Sequence, residues 1–527
     1  MFRSPFPDMT IPNVSVYDFL FGDLGPEDLD RIALVDGTSG AETTYRQLVG
    51  QINLLAGALA SRGVGPGDVV GLLCPNVPAF ATVFHGILRS GATATTINSL
   101  ATGHDIANQL TDAKATWLFT VSPLLPGSKE AAELLGLADD HVVVLDGADG
   151  HPSLRDLLGE GKPAREISIN PATHVAVLPY SSGTTGTPKG VMLSHTNLVA
   201  NVVQCEPVLD VEADDRLLAL LPFFHIYGMT VLLNIALKRR ARLVTMPKFD
   251  LVEFLRIISE HRCTYLFIAP PIGVALTKHP IVDQYDLSSV RAILSGAAPF
   301  DEALGTALAK RLNARVRQGY GMTELSPVSH VIPGSRDDLS LGSIGVPIAN
   351  IECKLVDSET GEEIDAPAEG ASDAGELWVR GPNVMLGYLG REEATSSTID
   401  ADGFLHTGDI ARVNADGSFT VVDRLKELIK YKGYQVAPAE LEALLLTHPA
   451  ILDAAVIGIP HEEGGEAPKA FVVRTQGADL TEDEVMAFVT AQVAPYKKVR
   501  AVEFIEVVPK SSSGKILRKD LKARVDA

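Results

Sequence analysis

The run LPYSSGTTGTPKGVML, residues 178 to 193, combines glycines, hydroxyl side chains and one lysine between two apolar segments. Glycines permit close approach of backbone amides, the hydroxyls donate hydrogen bonds and Lys189 supplies charge, so the run suits a phosphate group. The Walker A pattern does not fit, because Pro188 precedes the lysine and Gly190 follows it. A surface linker is the usual alternative for this composition, but the lysine and the flanking strands favour an anion-binding loop.

Further polar or glycine-rich stretches follow predicted strands along the chain. They are SGAAP at 295 to 299, QGYGMTE at 318 to 324, HTGD at 406 to 409, KYKG at 430 to 433 and SSSGK at 511 to 515. Sites in open α/β sheets lie at the carboxyl ends of strands. We therefore expect these stretches and residues 181 to 190 to converge on one site.

Single residues in these stretches and in FFHIYG have ordinary alternatives. His225, among the aromatic residues of FFHIYG, is by type more often a core residue than a functional one. Glu324 taken alone is a solvated acid after a strand, and Lys515 taken alone is a solvated lysine on a C-terminal loop. Only their combination with other motifs changes these interpretations.

The elements that position these residues are predicted from periodicity. Residues 30 to 170 and 215 to 330 alternate β-rich runs with helical patterns, which indicates mostly parallel sheets covered by helices. Residues 340 to 423 contain short strands and tight turns, with a hairpin at Asp416-Gly417. From residue 424 onward the pattern is typical of a small α+β domain.

The fold class is therefore α/β, with a large N-terminal domain and a small C-terminal domain. The N-terminal domain covers residues 1 to 423 and consists of two helix-covered α/β subdomains and a small β subdomain at about residues 340 to 423. The C-terminal α+β domain covers residues 424 to 527.

Local signals mark several element ends. Ser194 is the expected N-cap of the helix after the glycine-rich loop, and Pro438 is the expected first residue of another helix. Thr481 and Glu484 have the spacing of a capping box. The segment KELIKYKGYQV predicts a hairpin that turns at Gly433.

Composition and charge narrow the class of protein. A chain of 527 residues is too long to fold around a single hydrophobic core. Its net charge of −21 argues against nucleic acid or an anionic membrane as the main partner. The N-terminus lacks the apolar run of a signal peptide.

The cysteines have no metal spacing, so we expect reduced core thiols, no disulfide or zinc site, and a cytoplasmic protein. They are Cys74, Cys205, Cys263 and Cys353.

Residues 217 to 237 form the most membrane-like stretch. Its length would span a bilayer, but Pro222, His225, Gly228 and Asn234 interrupt it, and polar groups are costly in lipid. We predict a buried strand at 217 to 221, a loop and a core helix, with no integral membrane association.

Several motifs occur together, in order, from about residue 14 to about residue 520. They are SSGTTGTPKGV, GYGMTE, GELWVRG, GDIARVNADGSFTVVDRLKELIKYKGYQVAPAELE and PKSSSGKILRKDL. With these motifs the chain resembles the adenylate-forming acyl-CoA synthetases of the ANL superfamily, most closely the 4-coumarate:CoA and cinnamate:CoA ligase branch. The set is highly specific, although no single motif is.

The resemblance implies a reaction in two steps. A carboxylate attacks the α-phosphate of ATP to form acyl-AMP and pyrophosphate, and coenzyme A then displaces AMP. ATP, Mg²⁺ and coenzyme A are the implied cofactors and co-substrates. No protein nucleophile is needed, and the Gly-x-Ser-x-Gly pattern of a nucleophile elbow is absent from the sequence.

The resemblance also assigns roles to residues of the nucleotide site. The residues expected to hold the β- and γ-phosphates are Ser181, Ser182, Gly183, Thr184, Thr185 and Lys189. The residues expected at the adenine are Gln318, Gly319 and Tyr320. Thr323 matches the α-phosphate contact and Glu324 the magnesium ligand, an oxygen donor as that ion prefers. Asp409 matches the ribose contact, with Arg424 beside it.

The C-terminal domain is implied to serve both steps in different orientations. Lys515 matches the lysine that bridges the carboxylate and the α-phosphate during adenylation, and Lys430 acts in a different step. The residues matching AMP contacts are Lys426, Lys430 and Gln435, and those matching coenzyme A contacts are Lys432, Gly433 and Lys248. The domain is therefore expected to be mobile, with a hinge near residues 423 to 426.

The acyl pocket is implied by residues that are mainly small or apolar. They are Tyr227, Val231, Leu294, Ala297, Gly321, Pro327 and Val328. Such a pocket suits a flat aromatic tail, and Tyr227 can bond a ring hydroxyl or simply pack against the ring. Val231 replaces a small polar residue of some plant members, so unsubstituted cinnamate is as good a candidate as 4-coumarate. His225 matches a residue beside the carboxylate.

Other functions share parts of this pattern. A medium-chain fatty acyl-CoA synthetase would keep every nucleotide motif and differ in pocket depth. A stand-alone adenylation domain, a luciferase-like oxygenase and a non-catalytic nucleotide-binding protein are further alternatives, and the last is disfavoured because Glu324 and Lys515 are both present. The expected partners are a small carboxylic acid, ATP and coenzyme A, with no nucleic acid. The sequence leaves monomer and homodimer open.

Replacing Lys515 by alanine tests the assignment of this lysine. We expect Lys515→Ala to abolish acyl-AMP formation, because the bridging charge is lost, while thioester formation from supplied acyl-AMP is spared. Pyrophosphate release and CoA-thioester formation, measured separately, check this. Equal loss of both steps would contradict the assigned role.

Overall fold

The computed structural model of the protein describes residues 1–181, 188–298, 300–431, 434–461, 465–511 and 514–526. The strands, numbered in chain order, are β1 (Phe2–Arg3), β2 (Ile32–Asp36), β3 (Glu42–Thr44), β4 (Val69–Leu72), β5 (Thr93–Thr96), β6 (Trp117–Thr120), β7 (Val142–Val144), β8 (Val175–Val177), β9 (Tyr180–Ser181), β10 (Lys189–Ser194), β11 (Arg216–Ala219), β12 (Arg242–Thr245), β13 (Tyr265–Ile268), β14 (Ala292–Ser295), β15 (Arg315–Gly321), β16 (Val328–Val331), β17 (Val346–Pro347), β18 (Glu352–Val356), β19 (Gly375–Arg380), β20 (Gly387–Tyr388), β21 (Leu405–Val413), β22 (Phe419–Arg424), β23 (Ile429–Tyr431), β24 (Tyr434–Val436), β25 (Ile451–His461), β26 (Gly465–Arg474) and β27 (Ala501–Phe504). The α-helices are α1 (Val16–Phe21), α2 (Pro26–Leu29), α3 (Tyr45–Ser61), α4 (Pro78–Ser90), α5 (Gly103–Ala113), α6 (Leu125–Leu135), α7 (Leu154–Gly159), α8 (His195–Leu209), α9 (Ile235–Lys238), α10 (Leu251–His261), α11 (Pro270–Lys278), α12 (Glu302–Leu312), α13 (Glu392–Ser396), α14 (Pro438–Leu446), α15 (Glu482–Thr490) and α16 (Arg518–Asp526). A π-helical segment (Tyr227–Asn234) precedes α9, and a 3-10 turn (Thr323–Leu325) follows β15.

Two large sheets have parallel centres, as the alternation of strands and helices predicts. The first has the order β20-β10-β8-β5-β4-β6-β7, with β9 paired to β10, and the second has the order β17-β16-β15-β14-β13-β11-β12-β2-β3. Strands β11 to β15 run parallel in the second sheet. Strand β10 is antiparallel to β8, so the segment that carries Lys189 lies on an antiparallel margin of the first sheet.

A third sheet consists of antiparallel strands in the order β1-β18-β19-β21-β22. Strands β21 and β22 form the hairpin predicted at Asp416-Gly417, and Gly417 has a φ of 84° in the turn. This conformation favours glycine, which lacks the Cβ that would strain it. The N-terminal strand β1 joins the sheet at β18, a pairing that the sequence did not indicate.

Capping follows the sequence signals. The Ser194 hydroxyl accepts a hydrogen bond from the backbone N–H of Asn197 at the start of α8, and Thr481 and Glu484 form the predicted capping box of α15. Pro438 is the first residue of α14, where its missing N–H costs no helical hydrogen bond. These predictions are confirmed.

The C-terminal domain has its own sheet, in the order β24-β23-β26-β25, with β27 paired to β26. Alternate residues of β25 enter different clusters: Ala454 and Val456 pack on one face, and Ala455 and Ile457 pack on the other. Because both faces are covered, this sheet buries apolar side chains independently of the N-terminal domain.

We infer a domain division near residue 423, which remains a proposal. The main clusters of the C-terminal part begin at Ile429, after β22 has ended. A small cluster of Ile410, Leu428 and Ala437 joins the last strands of the N-terminal domain to the first residues of the C-terminal domain. Within the described residues, no helix combines the length and the apolar character needed to cross a membrane.

Arg317 connects two elements that support the site. It lies on β15, is 2 % exposed, and donates hydrogen bonds to the carbonyls of Val208 (2.8 Å) and Leu209 (3.1 Å) at the end of α8. Its guanidinium also donates to the Tyr265 hydroxyl at 2.9 Å. Helix carbonyls without partners are costly when buried, so this cation stabilises the junction between α8 and the second sheet.

Arg317→Ala should destabilise the N-terminal domain by roughly 3 kcal/mol, since it leaves buried carbonyls and a hydroxyl without their donor. Arg315→Ala, at an exposed position of the same strand, should cost under about 0.5 kcal/mol. Urea unfolding followed by the fluorescence of Trp117 and Trp378 measures both variants. Equal stability of the two variants would contradict the role given to Arg317.

Candidate active site

The glycine-rich segment is held at both ends by strand pairing. Ser181 on β9 lies opposite Lys189 on β10, and Tyr180 lies opposite Gly190. A Cβ on Gly190 would lie 3.1 Å from the Tyr180 ring, so a side chain there would crowd that ring. The predicted phosphate contacts at Ser182, Gly183, Thr184 and Thr185 lie outside the described residues.

Ser181 and Lys189 are the described ends of this segment. The Ser181 hydroxyl is buried and has no hydrogen-bond partner among the residues that the structure describes. The Lys189 ammonium lies 4.8 Å from the centroid of the Tyr388 ring. A buried hydroxyl without a partner and a lysine close by fit the expected phosphate site, because both can contact an anion.

Glu324 lies on the 3-10 turn after β15 and is 6 % exposed. Its Oε1 accepts a hydrogen bond of 2.9 Å from the Tyr388 hydroxyl. Among the described residues, no group of three or more His, Cys, Asp or Glu side chains is arranged to hold a metal ion. The Glu324 carboxylate is an oxygen ligand of the kind that Mg²⁺ accepts beside substrate phosphates, so the residue fits the expected role.

Asp409 connects β15, which carries the residues expected at the adenine, with the end of the third sheet. The Tyr320 hydroxyl donates to its Oδ2 at 2.6 Å, and Arg424 lies 3.3 Å from its Oδ1. Burial and the neighbouring carboxylate raise the pKa of Tyr320 well above its usual range, so this hydroxyl remains a donor. Each carboxylate oxygen can accept a second hydrogen bond, as two ribose hydroxyls would require.

The structure narrows the expected role of Gln318. Its side-chain amide donates to the carbonyls of Phe300 and Leu341, and its Oε1 accepts from the backbone N–H of Phe300. The side chain is therefore occupied, and the backbone carbonyl of Gln318 already accepts from the Ile332 N–H at 2.8 Å. Gly319 and Tyr320 follow on the same strand and are half-buried, and Thr323 opens the turn that carries Glu324.

The C-terminal loop brings Lys515 to the N-terminal domain. A Cβ on Gly514 would lie 3.4 Å from the Cβ of Ala269, which follows β13. Burial, and then the charge of Arg424, lower the pKa of Lys515 to about 8. Burial, and then the charge of Lys515, lower the pKa of His225 to about 4, so the imidazole is neutral at pH 7.

The other lysine-bearing hairpin of the C-terminal domain has a different environment. Lys430 and Gln435 are opposite each other on β23 and β24, and both are exposed. Lys426 is also exposed. Lys432 and Gly433 lie outside the described residues, and Lys248 is exposed after β12. The described arrangement thus places Lys515, but not Lys430, in a partly buried position beside the N-terminal domain.

The residues expected in the acyl pocket come from neighbouring elements of the second sheet. Tyr227 begins the π-helical segment, and its hydroxyl is 3.5 Å from the Leu294 carbonyl. A Cβ on Gly296 would lie 3.0 Å from the Tyr227 ring, and a Cβ on Gly321 would lie 2.1 Å from the Pro327 carbonyl oxygen. A side chain at Gly296 would thus crowd the Tyr227 ring, and one at Gly321 would collide with the backbone of Pro327.

The remaining pocket residues differ in exposure. Val231, Leu294 and Val328 are buried, whereas Ala297 is exposed and has a φ of 74°. This is the left-handed region that residues with a Cβ rarely adopt, and such strain is often found at functional sites. Tyr227, Ala297 and Gly321 thus represent the accessible part of the set.

The model of the family described as AMP-binding enzyme matches residues 26–389, and that of the AMP-binding enzyme C-terminal domain matches residues 440–515. The chain belongs to the AMP-binding enzyme family. Its curated relatives in this family include 4-coumarate--CoA ligase 3 of Oryza sativa subsp. japonica, 43% identical over 100% of this chain and 95% of the relative. Another is 4-coumarate--CoA ligase 4 of Arabidopsis thaliana, 42% identical over 100% and 94%.

Solved structures of AMP-binding enzymes are similar over nearly the whole chain. ATP-bound MatB from Rhodopseudomonas palustris has a TM-score of 0.88 and 29% identity, covering 97% of this chain and 99% of MatB. The anthranilate CoA ligase AuaEII in complex with anthranoyl-AMP has a TM-score of 0.88 and 29% identity, covering 98% of each chain. The expected ANL fold, with a large N-terminal and a small C-terminal domain, is confirmed.

Sequence reasoning missed Tyr388, which contacts both Lys189 and Glu324. It lies in the run VMLGYLG, where an aromatic residue between apolar ones is typical of a core position. No spacing signal connects Tyr388 with Lys189 or Glu324, because the three residues lie far apart in the chain.

The pKa of Lys515 predicts a pH dependence for adenylation. Since its pKa in the free enzyme is about 8, we expect kcat/KM for pyrophosphate release with cinnamate to fall as the pH rises through about 8 and the lysine loses its proton. Lys515→Arg keeps its charge at higher pH, so its residual activity should not show this fall. The same fall in this variant would exclude Lys515 as its cause.

Proposed function

We propose that the protein is an ATP-dependent acid:CoA ligase that forms acyl-AMP and then an acyl-CoA thioester. The observation that carries the proposal is the placement of Lys515 beside the N-terminal domain, near His225 and the Asp409–Arg424 pair. The names of the curated relatives support the same reaction.

In this proposal the first step takes place between Lys515 and the phosphate loop. The carboxylate oxygen of the acid attacks the α-phosphate of ATP, the bond to the β-phosphate breaks, and pyrophosphate leaves. Lys515 draws the two anions together when it is protonated, and its partial burial strengthens that interaction. The neutral His225 can donate a hydrogen bond to the carboxylate from Nε2, because its Nδ1 accepts from the Tyr227 N–H at 3.4 Å.

The leaving group would be held by the residues around the glycine-rich loop. Lys189 and the Ser181 hydroxyl supply a positive charge and a donor at its described ends. Mg²⁺, when bound at Glu324, would neutralise phosphate charge. This arrangement holds the pyrophosphate that departs, which explains why the Walker A pattern for a transferable γ-phosphate is absent.

The second step would require the C-terminal domain to rotate. In the described arrangement Lys515 faces the N-terminal domain while Lys430 and Gln435 are exposed. At the expected hinge the Leu425 N–H donates to the Gly408 carbonyl at 2.8 Å, and Asp423 Oδ2 accepts from the Ala439 N–H at 2.9 Å. We therefore propose residues 423 to 426 as the pivot, with Lys432, Gly433 and Lys248 contacting coenzyme A after rotation.

The proposed acid is a phenylpropenoic acid, either 4-coumarate or cinnamate. The pocket residues are apolar apart from Tyr227, whose hydroxyl makes only a long contact to Leu294 and remains able to meet a substrate group. Burial raises the pKa of Tyr227, so the hydroxyl stays protonated. A medium-chain fatty acid is the alternative that the nucleotide residues do not exclude.

We further propose a cytoplasmic location. The cysteines, at residues 74, 205, 263 and 353, are free and buried. Burial raises the pKa of the Cys263 thiol to about 12, which disfavours the reactive thiolate. Such thiols suit a reducing compartment.

A pyrophosphate-release assay with cinnamate, 4-coumarate and octanoate, with and without coenzyme A, tests the proposal. We expect release with the two aromatic acids and a CoA thioester only when coenzyme A is present. A higher rate with octanoate than with the aromatic acids would identify the substrate as a medium-chain fatty acid. Formation of the adenylate without the thioester would contradict the proposal that the protein is a CoA ligase.

The role of Tyr227 can be tested separately with Tyr227→Phe. If its hydroxyl bonds the ring hydroxyl of 4-coumarate, the variant should lower kcat/KM for this acid about fivefold, or ~1 kcal/mol, and leave cinnamate unchanged. Steady-state assays with the two acids measure the ratio, and cinnamate serves as the internal control. An unchanged ratio would mean that Tyr227 only packs against the ring.

A further inference from the structure

We propose that Tyr388 is a positioning residue that holds Glu324 and Lys189 at the two ends of one side chain, and so couples the magnesium site to the pyrophosphate site. The inference rests on the proposed function, because it concerns the same reaction. It adds a residue that neither the motifs nor the phosphate loop includes.

The backbone around Tyr388 is bonded to both functional segments. Strand β20 pairs with β10, with Tyr388 opposite Val191, and the Leu389 N–H donates to the Gly190 carbonyl at 2.8 Å. A few residues earlier, the Met385 N–H donates to the Glu324 carbonyl at 2.9 Å. The segment therefore has a defined position relative to β10, which carries Lys189, and to the turn that carries Glu324.

The position of Tyr388 itself is set from the other side by α13. Its N–H donates to the Thr395 hydroxyl at 2.9 Å. Tyr388 as a whole is 8 % exposed, so its side chain has little freedom to leave the site. A buried tyrosine usually needs a hydrogen-bond partner for its hydroxyl, and here that partner is Glu324.

The two ends of the side chain make different interactions. The hydroxyl donates to Glu324 Oε1 at 2.9 Å, and the ring face lies 4.8 Å from the Lys189 ammonium. The first interaction orients a carboxylate, and the second is a cation–π contact. Both interactions leave part of each charged group available. The Glu324 carboxylate keeps its second oxygen for a metal ion, and the Lys189 ammonium keeps N–H donors for phosphate.

The separation of the opposite charges is the functional consequence. Lys189 and Glu324 are both described, and they form no ion pair with each other in this arrangement. A direct pair would neutralise the charges needed by the phosphates and the metal. Tyr388 offers each group an alternative partner, so that both remain available when Mg²⁺ and ATP arrive.

Tyr388→Phe removes the hydroxyl and keeps the ring. We expect the Mg²⁺ concentration for half-maximal ATP binding, measured by calorimetry without acid or coenzyme A, to rise about fivefold, because Glu324 loses its orienting donor. Binding of inorganic pyrophosphate without metal should stay within about twofold of wild type, because the contact to Lys189 is kept.

Tyr388→Leu removes the ring as well. We expect this variant to show the same change in Mg²⁺ dependence and, in addition, a weakening of metal-free pyrophosphate binding by about two- to fivefold. Tyr180→Phe is the matched control, since it deletes another tyrosine hydroxyl beside the same loop, one that donates to Asp112 and not to Glu324. The control should leave the Mg²⁺ dependence unchanged.

The results separate the two proposals. The positioning role is rejected if Tyr388→Phe leaves the Mg²⁺ concentration for half-maximal ATP binding unchanged. It is also rejected if the variant weakens metal-free pyrophosphate binding by the same factor as it raises that Mg²⁺ concentration. Thioester formation from supplied acyl-AMP should be spared in this variant, and its equal loss would indicate a general structural defect. If the wild-type protein binds no ATP in the presence of Mg²⁺, the proposed function itself fails.

Discussion

The carboxylate of Asp409 is the constraint on which the site depends. It accepts a hydrogen bond from the Tyr320 hydroxyl at 2.6 Å and lies 3.3 Å from Arg424, so it connects β15 with β21 and with the last residue of β22. A buried carboxylate is costly without such partners, and here both partners are residues expected to lie at the nucleotide. Since Arg424 also lies within the hinge proposed at residues 423 to 426, the same ion pair connects the site with the C-terminal domain.

Charge balance in the site follows from this arrangement. Arg424 neutralises Asp409 and also contributes to lowering the pKa of Lys515, while Lys515 contributes to lowering the pKa of His225. In the free site Lys515, with a pKa of about 8, is still mostly protonated at pH 7 but loses its proton more easily than an exposed lysine. Bound phosphate and carboxylate groups would stabilise the protonated lysine and raise its pKa, so substrate binding and the charge of this lysine are linked.

The sequence predicted elements well where the signal was local. The Ser194 cap, the Thr481 capping box and the hairpin at Gly417 depend on a few neighbouring residues, and the structure contains all of them. The pairing of β1 with β18 and the occupation of the Gln318 side chain by backbone carbonyls were not predicted. Both depend on segments far apart in the chain, whose approach no local pattern encodes.

By itself, the sequence determined the family, the order of the nucleotide motifs and the residue types able to hold phosphate, ribose and metal. Only the tertiary structure decided which lysine of the C-terminal domain lies against the N-terminal domain, because burial of Lys515 depends on how the two parts pack. It also decided the role that we propose for Tyr388, because that role depends on the distances from its side chain to Lys189 and Glu324. The sequence shows only that residue 388 is a tyrosine, whereas folding places a carboxylate beside its hydroxyl and an ammonium beside its ring.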